Sequence, residues 1–216
     1  MLRFPILLTN DDGINSPGLQ HLASSLHSLG HPIAILAPLT EQSAVGMKLT
    51  LRDNMAFEEH TDIAEKIRTD ESAPLRVFSL DGSPCDCVIV AIDGGLRSWA
   101  PEIRPWLCIS GINRGPNLSI DVLHSGTVSA AREASLYGLP SLSVSLATYS
   151  HQDYSQSIEA TLALVERLSH LVTAEPSNIL RPEGSRMRPI RGTGTNSLRS
   201  WFMQGNMFLN LSLIHI

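Results

Sequence analysis

The run Ile6-Leu7-Leu8-Thr9-Asn10-Asp11-Asp12-Gly13-Ile14-Asn15-Ser16-Pro17-Gly18 decides the fold. A short apolar segment ends in an amide and two adjacent carboxylates, and a Ser-Pro helix start follows at once. In an open parallel sheet, ligands bind outside the carboxyl ends of the strands. Two acids there repel each other and are costly to desolvate unless a cation or a proton neutralises them. Asn-Asp-Asp-Gly is equally good turn chemistry, because these residues accept the backbone angles that turns need. The run alone therefore leaves a divalent-metal site and a solvated turn both open.

Working outward, strand and helix patterns alternate. Residues 4–9 read as a buried strand, and Ser16-Pro17 opens a helix with Leu19, Leu22, Leu26 and Leu29 on one face, closed by Gly30. Ile33 to Ala37 is the next strand, which gives the spacing of a βαβ unit in a parallel sheet. Lys48 to Phe57 carries a weak strand pattern, and the charged residues 58–71 read as an exposed excursion. Leu75 to Leu80 is a strand, and Ser83-Pro84 starts a helix. Trp106 to Ser110 is a strand followed by a Gly-rich loop over 111–126. Thr127 to Tyr137 is a helix, Ser141 to Ala147 a strand, and Ile158 to Val172 a helix. Beyond about residue 175 the alternation fails: 181–205 reads as a long loop or disordered stretch, and Met207 to Ile216 as one apolar strand without an obvious partner. The expected division is an α/β domain over 1–175 and an atypical C-terminal segment over 176–216, possessing the look of an incomplete chain.

Composition narrows the function classes. Apolar residues make up 43% of the 216 and charged residues 17%, which suits a globular domain with a real core. The net charge of −5 argues against a nucleic-acid surface, which would show a basic stripe. Cys85, Cys87 and Cys108 are odd in number and form no CxxC pair, so neither a disulfide framework nor a structural zinc site is expected, and a reducing cytosol is the default. No membrane span and no signal peptide are expected.

Three further segments follow strand ends as the first does: Ala37-Pro38-Leu39-Thr40-Glu41-Gln42-Ser43, Ser110-Gly111-Ile112-Asn113-Arg114-Gly115-Pro116-Asn117, and, leading into a helix, Asp121-Val122-Leu123-His124-Ser125-Gly126-Thr127. In a doubly wound sheet they converge beside Asp11 and Asp12. Asp, Asn and Ser oxygens are hard ligands suited to Mg²⁺, Mn²⁺ or Ca²⁺. Ser125-Gly126-Thr127 at a helix start offers amide hydrogens and hydroxyls to a phosphate. Metal and helix terminus together suggest phosphoryl transfer to water. Taken singly, each residue also has a plainer role. Ser125 or Thr127 can cap a helix, Asn113 can hold a left-handed turn, His124 is either a surface histidine or a proton donor, and Arg114 pairs with a phosphate or only with a neighbouring acid.

In this order over roughly residues 5–147, these segments resemble the SurE (survival protein E) family of metal-dependent nucleotide phosphatases. Weaker matches are Leu80-Asp81-Gly82-Ser83-Pro84-Cys85-Asp86-Cys87-Val88 and Gly138-Leu139-Pro140-Ser141. The resemblance implies a Rossmann-like three-layer fold with a mostly parallel sheet and an atypical or truncated C-terminal part. It implies hydrolysis of nucleoside 5′-monophosphates, with 3′-nucleotides and short polyphosphate as further substrates. One divalent ion (Mg, Mn or Ca) per subunit would be held by Asp11, Asp12, Ser43 and Asn113. It also implies a cytoplasmic homodimer or homotetramer with exchanged C-terminal segments. Ser43-Ala44 stands where the family usually has Ser-Gly, and the 181–204 stretch departs from the family pattern as an insertion or a frame error would.

The expected activity is that of a metal-dependent phosphomonoesterase. Asp11 serves catalysis, Asn10, Ser125, Gly126 and Thr127 hold the phosphate, and water attacks with its pKa lowered by the ion. Two rivals stand beside it. An aspartyl-phosphate phosphatase would use Asp11 as nucleophile, although that class has an Asp-x-Asp arrangement. A nucleotide-binding module or inactive fragment would bind without turnover.

Overall fold

A computed structural model describes residues 3–150, 152–172, 198–203, 205 and 207–213. Four strands run parallel at its centre because their sequences are nearly continuous apolar runs, as strands covered on both faces require. These are β1 (Ile6–Thr9), β2 (Ile33–Pro38), β4 (Leu75–Leu80) and β5 (Leu107–Arg114). With β3 (Phe57–Glu59), β6 (Ser141–Leu146) and β7 (Leu209–Leu213) they form one seven-stranded sheet in the order β3-β4-β2-β1-β5-β6-β7. All neighbours pair in parallel except the short edge strand β3, which runs antiparallel to β4. The chain order reverses at β1, between β2 and β5, and such a switch point opens a crevice at the carboxyl end.

Alternation along the strands sorts the core into two layers. Ile6, Leu8, Ile35 and Ile109 face α1 (Pro17–Ser28), α2 (Thr61–Ile67) and α7 (Ser155–Leu168). Leu7, Leu36, Phe78 and Cys108 face α3 (Pro84–Val90), a wide turn over 91–95, α4 (Leu96–Trp99) and α6 (Gly126–Leu136). β6 reads Ser-Leu-Ser-Val-Ser-Leu, with Leu142, Val144 and Leu146 in the first layer and Ser141 on the other face, its hydroxyl donating to the Ala131 carbonyl of α6 at 2.6 Å. The three cysteines are free and buried, and burial pushes the Cys85 and Cys108 thiols up to about 12.

The structure departs from the sequence reading where tertiary contacts decide. Residues 48–56 form no strand: Thr50 gives its amide and hydroxyl hydrogens to the buried Asp86 carboxylate, at 3.0 and 2.8 Å. The 58–71 excursion contains α2, whose Ile63, Ala64 and Ile67 are buried among exposed charges. β5 runs on to Arg114 with a register shift between Ser110 and Asn113, and a short helix, α5 (Asp121–His124), interrupts the loop expected over 111–126. The strand thought to lack a partner is β7, which pairs with β6 from Leu142↔Leu209 to Leu146↔Leu213. Within the stretch expected to be a loop, Leu198–Met203 forms helix α8 with Phe202 buried; the rest of that expectation, over 181–197, lies outside the described residues.

Asp86 ties the 48–50 loop to the start of α3, because it also accepts the Ser83 amide hydrogen at 2.8 Å. Asp86→Ala leaves these donors without their acceptor and should cost about 2 kcal/mol. Urea unfolding should show a lower midpoint at unchanged slope; an unchanged midpoint would exclude Asp86 as the anchor of this loop.

Candidate active site

Asp11 and Asp12 leave the end of β1 and turn back through Gly13, whose φ of +90° lies in the left-handed region that glycine favours. The Asp11 carbonyl accepts the Gln42 amide hydrogen at 2.7 Å, so the loop after β2 is held against the acids. That loop brings in Glu41 and Ser43, β5 brings Asn113 and Arg114, and Asp121, His124 and Ser125 arrive ahead of α6. Together they line a pocket of about 420 Å³. Every contributor lies at or beyond the carboxyl end of a strand, as the switch point requires.

Asp11 is only 4% exposed. One oxygen accepts the Thr127 amide hydrogen at 3.0 Å, and the other takes a short hydrogen bond from the Thr127 hydroxyl. Burial raises its pKa, and the Thr127 bonds oppose that rise. Asp12 accepts the Arg114 amide hydrogen at 3.1 Å. Burial, and then the charge of Asp11, push its carboxyl up to about 6. Neither acid has a salt-bridge partner among the described residues.

The donor set fits a hard divalent cation. The Ser43 hydroxyl donates its hydrogen to Glu41 at 2.6 Å, which leaves its oxygen lone pairs free. The Asn113 amide nitrogen donates to the Gly115 carbonyl at 2.8 Å, which leaves its carbonyl oxygen free for a ligand. Asp11, Asp12, Ser43 and Asn113 thus bring oxygen acceptors to one pocket, where like charge between the acids is relieved by a cation. The other carboxylates there, Glu41 and Asp121, make a bare pocket hostile to a phosphate dianion, so phosphate binding also calls for a cation.

The expected phosphate ligands are placed differently. Asn10 is fully buried and does not line the pocket; its amide nitrogen donates to the Gly13 carbonyl at 2.9 Å and so shapes the turn. Ser125 lines the pocket, but its hydroxyl caps α6 by accepting the Val128 amide hydrogen at 3.1 Å. Thr127 spends both donors on Asp11. A Cβ on Gly126 would stand 2.8 Å from the Asp11 Cβ and 3.2 Å from the Gln42 carbonyl oxygen. The start of α6 therefore cradles Asp11, and of its three expected phosphate ligands only Ser125 reaches the pocket. Residues the motifs did not assign also line it: Glu41 and Asn117, which lie within the quoted segments, and Tyr149, 66% exposed, which no motif marked.

Comparison with known proteins shows the family. The model of the family described as Survival protein SurE matches residues 6–199. The chain is 42% identical over 192 residues to the 5′-nucleotidase SurE of Syntrophotalea carbinolica, covering 87% of this chain and 69% of that protein. It is 41% identical over 165 residues to the 5′-nucleotidase SurE of a Synechococcus strain, covering 76% and 59%. The crystal structure of the SurE protein from Aquifex aeolicus superposes with a TM-score of 0.60 at 32% identity, covering 76% of this chain and 60% of that one. The chain thus spans from 59% to 69% of the length of these relatives.

Two outcomes are expected. Asp12→Asn removes one of two crowded, poorly solvated charges, so the metal-free protein should melt higher while its stabilisation by Mn²⁺ is lost. Because the folded-state pKa of Asp12 is raised to about 6, its neutral form favours folding, and that benefit is lost as pH rises through this value. The gain from Asp12→Asn should therefore appear at about pH 8 and vanish at about pH 4 in thermal melts. Gly126→Val should press on Asp11 and weaken Mn²⁺ binding in calorimetry; unchanged affinity would show that the cradle yields.

Proposed function

We propose, from the premise that this chain belongs to the SurE family, that it is a metal-dependent phosphomonoesterase acting on nucleoside 5′-monophosphates. The observation that carries the reading is the pair of adjacent carboxylates at the sheet's switch point, Asp11 buried and Asp12 half-buried, joined in one pocket by the oxygens of Ser43 and Asn113. One divalent ion, Mg, Mn or Ca, would be held by Asp11, Asp12, Ser43 and Asn113, and when bound it supplies neutralising charge to the phosphate and lowers the pKa of an attacking water. Thr127 holds Asp11 in a single orientation through two hydrogen bonds, so the acid needs no rearrangement when a substrate arrives. Arg114 at the lining adds positive charge for the phosphate oxygens, with the hydrogen-bonding groups of His124 and Ser125 beside it.

The same reading extends to 3′-nucleotides and short polyphosphate as further substrates, and to a cytoplasmic homodimer or homotetramer. Among the described residues no helix is long and apolar enough to cross a membrane. Direct attack by the Asp11 carboxylate fits the geometry less well, because both its oxygens are engaged by Thr127 and it is almost fully buried.

Phosphate release from nucleoside monophosphates, measured with Mn²⁺ and again with excess chelator, tests the reading. Activity should disappear with chelator and return on adding metal. Asp11→Asn should lower kcat/KM by at least about 100-fold and weaken Mn²⁺ binding in calorimetry. A trapped phosphoenzyme would replace this mechanism with covalent catalysis. Nucleotide binding without phosphate release would leave a binding module.

A further inference from the structure

Strand β7 does not line the pocket, but two of its side chains, Asn210 and Ser212, hold the loop that does. Asn210 is the register partner of Ser143 in the β6–β7 pair. Its amide is used at both ends: the oxygen accepts the Ser143 hydroxyl hydrogen at 2.8 Å, and the nitrogen donates to the Asn117 carbonyl at 3.0 Å. Asn117 lines the pocket, yet is only 5% exposed. Its own amide nitrogen donates to the Ser145 hydroxyl at 2.7 Å, and its backbone N–H points at the Ser212 hydroxyl at 3.4 Å. The Gly115 amide donates to the Leu146 carbonyl at 2.9 Å, and the Gly115 carbonyl accepts from Asn113. The segment carrying Asn113, Arg114 and Asn117 is thus fastened to the backs of β6 and β7.

We infer that Asn210 is a positioning residue for the pocket, bridging Ser143 to the Asn117 carbonyl and so fixing the loop that presents Asn113 and Asn117. The bridge requires one donor and one acceptor on a short, planar group, which only an amide of this length provides. Aspartate keeps the acceptor and loses the donor; serine is too short to span both partners. β7 then does more than extend the sheet: it supports from behind the loop that lines a site whose acids lie at the end of β1. As a claim about turnover, this rests on the phosphomonoesterase reading; as a claim about the loop, it does not.

Asn210→Asp and Asn210→Ser are compared with Leu211→Ala, which weakens the packing of the same strand without touching Asn117. Amide hydrogen exchange at Gly115, Asn117 and Leu118 reads the loop, and KM for a nucleoside monophosphate reads the site. Both Asn210 variants should speed loop exchange and raise KM by about fivefold, the effect of one lost hydrogen bond, with kcat nearly kept. Leu211→Ala should lower the melting temperature and leave loop exchange and KM at their wild-type values. Wild-type loop exchange in both Asn210 variants, or equal acceleration in Leu211→Ala, would overturn the inference. So would faster exchange with unchanged KM, since the loop would then be anchored without positioning anything. Should the wild type release no phosphate, the function proposed above falls, while loop exchange still decides the role of Asn210.

Discussion

The contact between Thr127 and Asp11 is the constraint on which the site depends. It joins the end of β1 to the start of α6 across 116 residues of sequence, and it fixes a buried acid whose neighbour is also an acid. Burial raises the pKa of the Asp11 carboxyl, and those two donors work against that rise, in the direction of the charged form that a hard cation prefers. Gly126 is explained by the same contact, since any side chain there would collide with the acid. The capping role of Ser125 follows too, because it frames the turn that aims the Thr127 amide.

Much of the architecture is legible in local pattern. The apolar run at Ile6, the Ser16-Pro17 helix start and the run from Ile33 lie where periodicity and turn chemistry put them, because strands covered on both faces leave little freedom of composition. Helix α2 is less visible: Ile63, Ala64 and Ile67 are three apolar positions in two turns otherwise occupied by charge. The absence of a strand over 48–56 has a similar origin, since the fate of Thr50 is set by Asp86, 36 residues away.

The site divides in the same way. The acid pair and the oxygens of Ser43 and Asn113 are found by reading strand ends, because a parallel sheet gathers its carboxyl ends in one place. Which group the start of α6 serves is not local information. Ser-Gly-Thr offers the same donors to a phosphate as to a carboxylate, and only the packing of α6 against β5 and β6, which sets its start beside the end of β1, assigns them to Asp11. Asn10 and Asp11 are neighbours with opposite fates because the last turn of the strand sends one inward to the Gly13 carbonyl and the other to the pocket.

The sheet order also has a consequence for how the molecule assembles. β1 gains its first partner from β2 nearby, but its second, β5, begins at Leu107, and the cradle for Asp11 comes later still. Loop-closure entropy makes such distant pairings slow, so a chain leaving the ribosome carries its two acids in a half-built sheet until α6 has emerged. A cation site at these acids would then belong to the completed topology and contribute nothing to nucleation. Bound metal would accordingly lengthen the lifetime of the native state by slowing its unfolding, and leave the rate of folding nearly untouched.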